Sequence, residues 1–244
     1  MLTIMPMADR RRMMPATDAA STSPLGRLRL MQLVSPSLPI GAFTYSQGLE
    51  WAVEAGWVSD VITLTDWLEG LMDDSLGQLE LPILRRLYRA CESNQADAID
   101  RWGRQLYASR ETRELRAEEH NRARALITLL ADLEVPRAVD WRGQLTHCQA
   151  APFALAAVHW QIGLEDCLLG YAWGWLENQI AAAIKLVPLG QTDGQRVQLQ
   201  QAERLPAVVE RALVIEDDDI GAGAPALAIA SASHETQYTR LFRS

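Results

Sequence analysis

The side chains able to do chemistry are few and poorly spaced for catalysis. Histidines stand at His120, His147, His159 and His234, and cysteines at Cys91, Cys148 and Cys167. His147 and Cys148 are adjacent, so on a helix they point in different directions and only a loop brings both to one metal ion. The chain has no HExxH and no CxxC. Gly190 to Arg196, GQTDGQR, has two glycines but lacks the Gly-Lys-Ser/Thr that cradles phosphate. It reads better as a helix stop followed by a helix start. A GxSxG nucleophile turn is also absent.

Other residues suit recognition better than reaction. Ser35 to Glu50, SPSLPIGAFTYSQGLE, spends two prolines and two glycines on fixing one turn. Between them lie Phe43, Tyr45 and Gln47, three groups able to make directional contacts. Two readings stand: a rigid buried turn joining two helices, or a surface built for a partner. Of the 23 basic residues only Lys185 is a lysine, and it ends an otherwise apolar run, NQIAAAIKLVPLG. There it either complements the helix dipole with a snorkelling stem or presents a charge to a partner. The end of the chain, HETQYTRLFRS, keeps Tyr238, Leu241 and Phe242 beside Arg240 and Arg243. That composition belongs to an interface anchor, and packing back onto its own domain is the competing reading. Arg101 to Arg124 carries seven arginines against four glutamates, either a solvated face or a site for an acidic partner.

The elements that position these groups are helical. Ser23-Pro24 caps a segment with Leu25, Leu28 and Met31 in register. Ser46 is placed to cap a short helix that Gly56 ends. Thr63 or Thr65 opens another carrying Leu64, Trp67, Leu68, Leu71 and Met72. Leu79–Cys91 and Asn94–Tyr107 follow as separate helices. Ser109 starts the clearest one, stopping before Pro136, with Glu118 and Arg122 as an i,i+4 pair worth about 0.3 kcal/mol. Pro152 begins an Ala-rich helix, Leu164–Val187 forms a long apolar one, and Thr192 caps a helix running to about Ile215. Small residues Ala226–Ala232 lead into the tail, about residues 234–244. No run alternates in the manner of a strand, and no 20–50-residue repeat is present. The expectation is one all-α helical-bundle domain of about nine or ten helices over residues 24–244, preceded by a disordered arm over residues 1–23.

Composition sets the class. A chain of 244 residues, 48% hydrophobic, can bury a sizeable core. A net charge of −8 argues against a nucleic-acid partner. Three cysteines fit free thiols in a reducing cytosol better than a disulfide framework. The arginines of the N-terminal arm follow its short apolar start, the wrong order for a secretory signal. The longest uncharged run, Gly143 to Leu164, holds three glutamines, two histidines and a proline, which suits no bilayer. A soluble cytoplasmic protein with no membrane partner is expected.

Five blocks, taken in order, resemble the UreF family of urease-maturation accessory proteins over roughly Leu25 to Ser244. They are SPSLPIGAFTYSQGLE, SRETRELRAEE, YAWGWLENQ, KLVPLGQTDGQR and HETQYTRLFRS. The resemblance implies an all-α fold that dimerises, without enzymatic activity, cofactor or dedicated metal ligands. It implies a scaffold that bridges a UreD/UreH-type protein to the nickel-carrying GTPase UreG and couples GTP hydrolysis to nickel delivery into apo-urease. By matching position, it assigns Tyr238, Arg240, Leu241 and Phe242 to the partner-supported tail, with Arg240 helping to recruit UreG. It assigns Lys185 to the UreG-facing surface and Phe43 to the neighbourhood of the tail. Leu28, Leu169 and Trp173 match the family's dimer contacts. The rival readings are a direct nickel-binding metallochaperone using His147, Cys148 and His234, and a free-standing helical enzyme.

Overall fold

Apolar periodicity becomes helix nearly throughout the computed structural model, which describes residues 22–221 and 223–244. The arm expected over residues 1–23 therefore lies outside the described residues, apart from Thr22 and Ser23. Those two already belong to the fold. Thr22 is buried and its Oγ1 accepts the Gly163 amide at 2.9 Å. Ser23 caps the first helix by accepting the Gly26 amide.

Twelve α-helices and no strand occur among the described residues, and ten of the helices have ten residues or more. The all-α expectation and its helix count hold. In order they are α1 (Pro24–Leu33), α2 (Leu49–Glu54), α3 (Val61–Leu71), α4 (Leu81–Glu92), α5 (Ala96–Ala108) and α6 (Arg113–Asp132). Then come α7 (Arg142–Leu145), α8 (Ala150–His159), α9 (Leu164–Leu186), α10 (Gln191–Ala202), α11 (Leu205–Val214) and α12 (Pro225–His234).

Several helix starts differ from expectation, each for a local reason. Asp60, not Thr63 or Thr65, caps α3, because Asp60 and Thr63 bond each other's backbone in a capping box. Thr112, not Ser109, caps α6 by accepting the Leu115 amide, while the Ser109 hydroxyl turns back to the Gln105 carbonyl. Gly48, with φ of 79°, precedes α2, although the Ser46 hydroxyl still accepts the Glu50 amide at 3.3 Å. The helix expected from Thr192 to Ile215 begins after Gly190 and breaks between Ala202 and Leu205, where Pro206 enters the first turn of α11. The helices expected to be separate on either side of Leu79 are joined: a π-helical stretch, Met72–Glu80, links α3 to α4. Such wider turns often mark functional positions, and this one ends with Glu80 buried.

The core is organised around α4, which packs against α5, α8, α9 and α11. Its Leu81, Ile83, Leu84 and Leu87 are fully buried. The long α9 lies across the bundle and touches α1, α2, α10 and α11. Gly170 makes the α1 contact possible, since a Cβ there would lie 2.5 Å from Leu30 Cδ1. The C-terminal end of α9 carries Lys185 to the side of the bundle where the tail lies.

Candidate functional site

The Ser35–Glu50 block and the chain end, far apart in sequence, form one unit. Gln47 and Gly48 both adopt the left-handed conformation, with φ of 52° and 79°. Gly48 then meets α12 closely: a Cβ there would stand 3.0 Å from Ala230 Cβ and 3.2 Å from the Ser231 amide nitrogen. The turn so made is a cradle for the last four residues. The Arg243 amide donates to the Thr44 carbonyl at 2.8 Å, and the Ser46 amide and hydroxyl donate to the Ser244 carbonyl oxygen at 2.8 and 2.6 Å. Leu241 and Phe242 donate their amides to the Glu50 carboxylate at 2.6 and 3.0 Å. Ser244 Oγ donates to Glu118 at 2.9 Å. A chain segment whose backbone groups are this fully paired is held, not fraying.

The tail divides into an inward and an outward set. Phe242 is 6% exposed and packs into the core. Lys185 Nζ lies 5.5 Å from the centre of its ring. Tyr238 and Leu241 are 103% and 73% exposed, and Phe43, next to the Thr44 that pairs Arg243, is 61% exposed. Arg240 is half-exposed and donates to Glu114 at 2.6 Å. Of the two tail readings, packing back describes Phe242, while Tyr238 and Leu241 face outward. The Ser35–Glu50 block divides in the same way: Ser46, Gln47 and Glu50 are buried while Phe43 faces out.

Beneath the cradle runs a buried polar network. Gln47 donates to Glu118 at 2.9 Å and accepts from Trp175 Nε1 at 3.0 Å. Glu118 also pairs Arg122 at 2.8 Å. Alongside, Arg110 bridges Glu80 at 3.0 Å and Glu119 at 2.7 Å, all three being nearly inaccessible. Burial works against the Arg110 charge, but Glu80 and Glu119 outweigh it and hold the guanidinium well above its ordinary pKa. Tyr171, which donates to Glu80, is pushed well up by burial and by both carboxylates. Gln47, Glu80, Arg110, Glu119, Tyr171 and Trp175 line a cavity of about 90 Å³ that reaches Phe43 and Glu177. Burial raises the Glu177 carboxyl above its usual range. The arginine-rich stretch from Arg101 to Arg124 is thus not a uniform solvated face. Arg110, Glu118 and Glu119 turn inward, whereas Arg101, Arg104, Arg113 and Arg124 remain exposed.

Of the groups weighed as metal ligands, the two histidines face carboxylates and Cys148 lies in the core. His147 Nε2 sits 2.9 Å from Asp100, Cys148 is buried, and His234 lies between Glu50 and Glu114 at 3.0 and 2.7 Å. No group of three or more His, Cys, Asp or Glu side chains among the described residues is arranged to hold a metal ion. Among the described residues no helix is long and apolar enough to cross a membrane.

Leu28 lies on α1, and Leu169 and Trp173 lie on α9, which packs against it. Leu28 is 61% exposed on α1, and Leu169 and Trp173 are half-buried on α9. The two α9 residues line an apolar groove of about 390 Å³ with Leu30, Met31 and Leu205.

Sequence reasoning missed Glu50 and Glu114, and weighed His234 only as a metal ligand. The one signal for Glu50 was its place inside a block already rich in turn residues.

A family model described as UreF matches residues 58–202, a span that stops short of both the cradle and the tail. The chain is 52% identical over 222 residues to the urease accessory protein UreF of Pseudomonas putida (strain W619), covering 91% of this chain and 99% of the relative. It is 51% identical over 225 residues to the urease accessory protein UreF of Alcanivorax borkumensis, covering 88% and 97%. To that of Alkalilimnicola ehrlichii it is 47% identical over 227 residues, covering 93% and 100%.

Proposed function

The chain belongs to the UreF family of urease accessory proteins, and from that premise we propose that it is a non-enzymatic scaffold of urease maturation in the cytoplasm. In this reading it bridges a UreD/UreH-type protein and the GTPase UreG, and couples GTP hydrolysis to delivery of nickel into apo-urease. Nickel is the cargo of the assembly and needs no resident ligands on this chain.

The observation that carries the reading is the convergence of Phe43, Lys185 and the tail at one end of the molecule. Exposed Phe43, Tyr238 and Leu241 offer apolar contact, and Lys185 and Arg240 offer charge beside it. An aromatic and cationic face of this kind suits a protein partner. Lys185 and Arg240 help hold UreG, while Tyr238, Leu241 and the Phe242-anchored tail meet the UreD/UreH-type protein. Coupling follows when the scaffold binds one nucleotide state of UreG better than the other. Leu28 on α1, with Leu169 and Trp173 in the apolar groove of α9, forms the contact of a homodimer.

The test is co-purification of the tagged protein with its UreD/UreH-type and UreG partners, followed by size exclusion with mass determination. A stoichiometric complex on a dimeric core is expected. Substituting both Lys185 and Arg240 with alanine should reduce UreG recruitment while helicity stays intact; normal recruitment would sink the assignment. Equilibrium dialysis with nickel separates this reading from a metallochaperone using His147, Cys148 and His234, because a scaffold shows no tight stoichiometric site.

A further inference from the structure

We propose that Glu50 is the positioning residue of the tail, and that a relay through His234 and Glu114 fixes Phe242 and Arg240 in one frame. The inference rests on the reading that the tail face docks a partner, and it names what shapes that face.

Glu50 lies in the first turn of α2 and is only 5% exposed. A buried carboxylate demands donors, and this one has two backbone amides. Its Oε1 accepts the Leu241 amide at 2.6 Å and its Oε2 accepts the Phe242 amide at 3.0 Å, while His234 Nε2 lies 3.0 Å from the same Oε2. Two successive amides aimed at one carboxylate make an anion-binding nest, and the chain bends at Leu241 and Phe242 to form it.

The relay continues through the ring. His234 Nδ1 lies 2.7 Å from Glu114 Oε2, and Glu114 Oε1 accepts Arg240 at 2.6 Å. His234 is fully buried between the two carboxylates. A neutral imidazole donates from one nitrogen only, so two carboxylate partners call for a second proton on the ring or one on a carboxyl. Either way, the Phe242 amide, Glu50, His234, Glu114 and Arg240 form one continuous set of contacts. The aromatic that meets Lys185 and the arginine beside it are therefore placed by the same carboxylate on α2.

Glutamine at position 50 preserves shape but not this role. It offers one accepting oxygen, and its amide group meets another N–H head-on. Glutamine at position 114 changes the contacts to His234 and Arg240 but leaves both amide contacts of Glu50 in place. The two substitutions therefore separate a positioning residue from a generally structural one.

The experiment is residue-resolved amide hydrogen exchange on the full chain, with partner capture measured on the same proteins. In the wild type, Leu241 and Phe242 should exchange at least tenfold slower than Tyr238 after correction for intrinsic rates. Equal rates would overturn the proposal without any variant, which covers failure of Glu50→Gln to fold. Glu50→Gln should speed Leu241 and Phe242 at least tenfold and leave α4 and α9 unchanged, whereas Glu114→Gln should leave those two amides within threefold of wild type. Unchanged exchange in Glu50→Gln, or equal acceleration throughout the chain, would overturn it. If the tail amides speed up and capture of the UreD/UreH-type protein and UreG falls, both readings stand. If they speed up and capture is unchanged, Glu50 keeps its role and the docking reading fails.

Discussion

Lys185 holds its ammonium 5.5 Å from the centre of the Phe242 ring. The contact joins the C-terminal turn of the longest helix to the tail, so two segments separated by α10, α11 and α12 share one surface. The lone lysine thus has the helix-end place weighed for it and an aromatic neighbour within its own chain. It sits at the negative end of α9, where a cation is favoured, and it covers an aromatic group of the tail.

Loosening that contact should release the tail without unfolding the bundle. Phe242→Ala removes a buried ring whose other neighbours belong to the domain. Trypsin cleavage after Arg240 should then quicken by at least tenfold, with most of the far-UV helical signal retained. Lys185→Met keeps much of the stem and loses the charge; a cation–π contact of about 0.5–1 kcal/mol predicts a two- to fivefold quickening. Identical cleavage rates in both variants and the wild type would show that the ring does not hold the tail.

Gly48 and Gly56 provide a paired test of the cradle. Both have positive φ, 79° and 74°, but only Gly48 has a neighbour where a Cβ would go. Gly56→Ala should cost about 1 kcal/mol from the backbone alone. Gly48→Ala adds the clash with Ala230 and should cost about 2–3 kcal/mol. Thermal denaturation followed by circular dichroism should place the Gly48 variant several degrees below the Gly56 variant. Equal midpoints would mean that the α2–α12 approach is soft.

The thiols give a pH prediction. Burial pushes Cys91 up to about 12 from an ordinary 9.0, and raises Cys148 and Cys167 as well. A thiol with a raised folded pKa stabilises the fold fully below pH 9. That contribution is lost as pH climbs from 9 toward 12, because the unfolded chain gives up the proton first. At pH 8 the native protein should react slowly with a disulfide reagent and release three equivalents once unfolded. A native thiol titrating near pH 9 would contradict the burial.

Much of this architecture was legible in the sequence, because apolar spacing at 3.6 residues and the Pro/Gly stops are local signals. Pro24, Gly56, Gly163 and Pro188 all mark helix boundaries that the structure keeps. Caps were less legible. Ser109 and Thr112 are equally good candidates by type, and the choice is made by Ser231 of α12, whose hydroxyl is 2.7 Å from that of Thr112. Thr112→Ala should accordingly cost about 1–2 kcal/mol and Ser109→Ala much less, measured by urea denaturation. The cradle was illegible for the same reason. Glu50 and His234 are 184 residues apart, and no periodicity links them. The Glu118–Arg122 pair was legible as a pair but not as buried, because its burial comes from Gln47 and Ser244.

The groove beside α1 yields the last prediction. Leu25, Leu28 and Met31 are exposed on a ten-residue helix that turns apolar residues to solvent, and Trp173 and Leu169 continue that apolar surface on α9. A monomer gains nothing from leaving such a patch wet, whereas an isologous contact buries it twice. Trp173→Arg puts a long charged side chain into the groove in place of an apolar ring and should shift the mass in size exclusion from two chains to one at micromolar concentration. Leu199→Arg, exposed on α10 and outside the groove, should leave the mass unchanged. If Trp173→Arg stays dimeric, the contact lies elsewhere and the apolar face of α1 needs another occupant. A wild type that is monomeric in isolation would overturn the dimer contact itself.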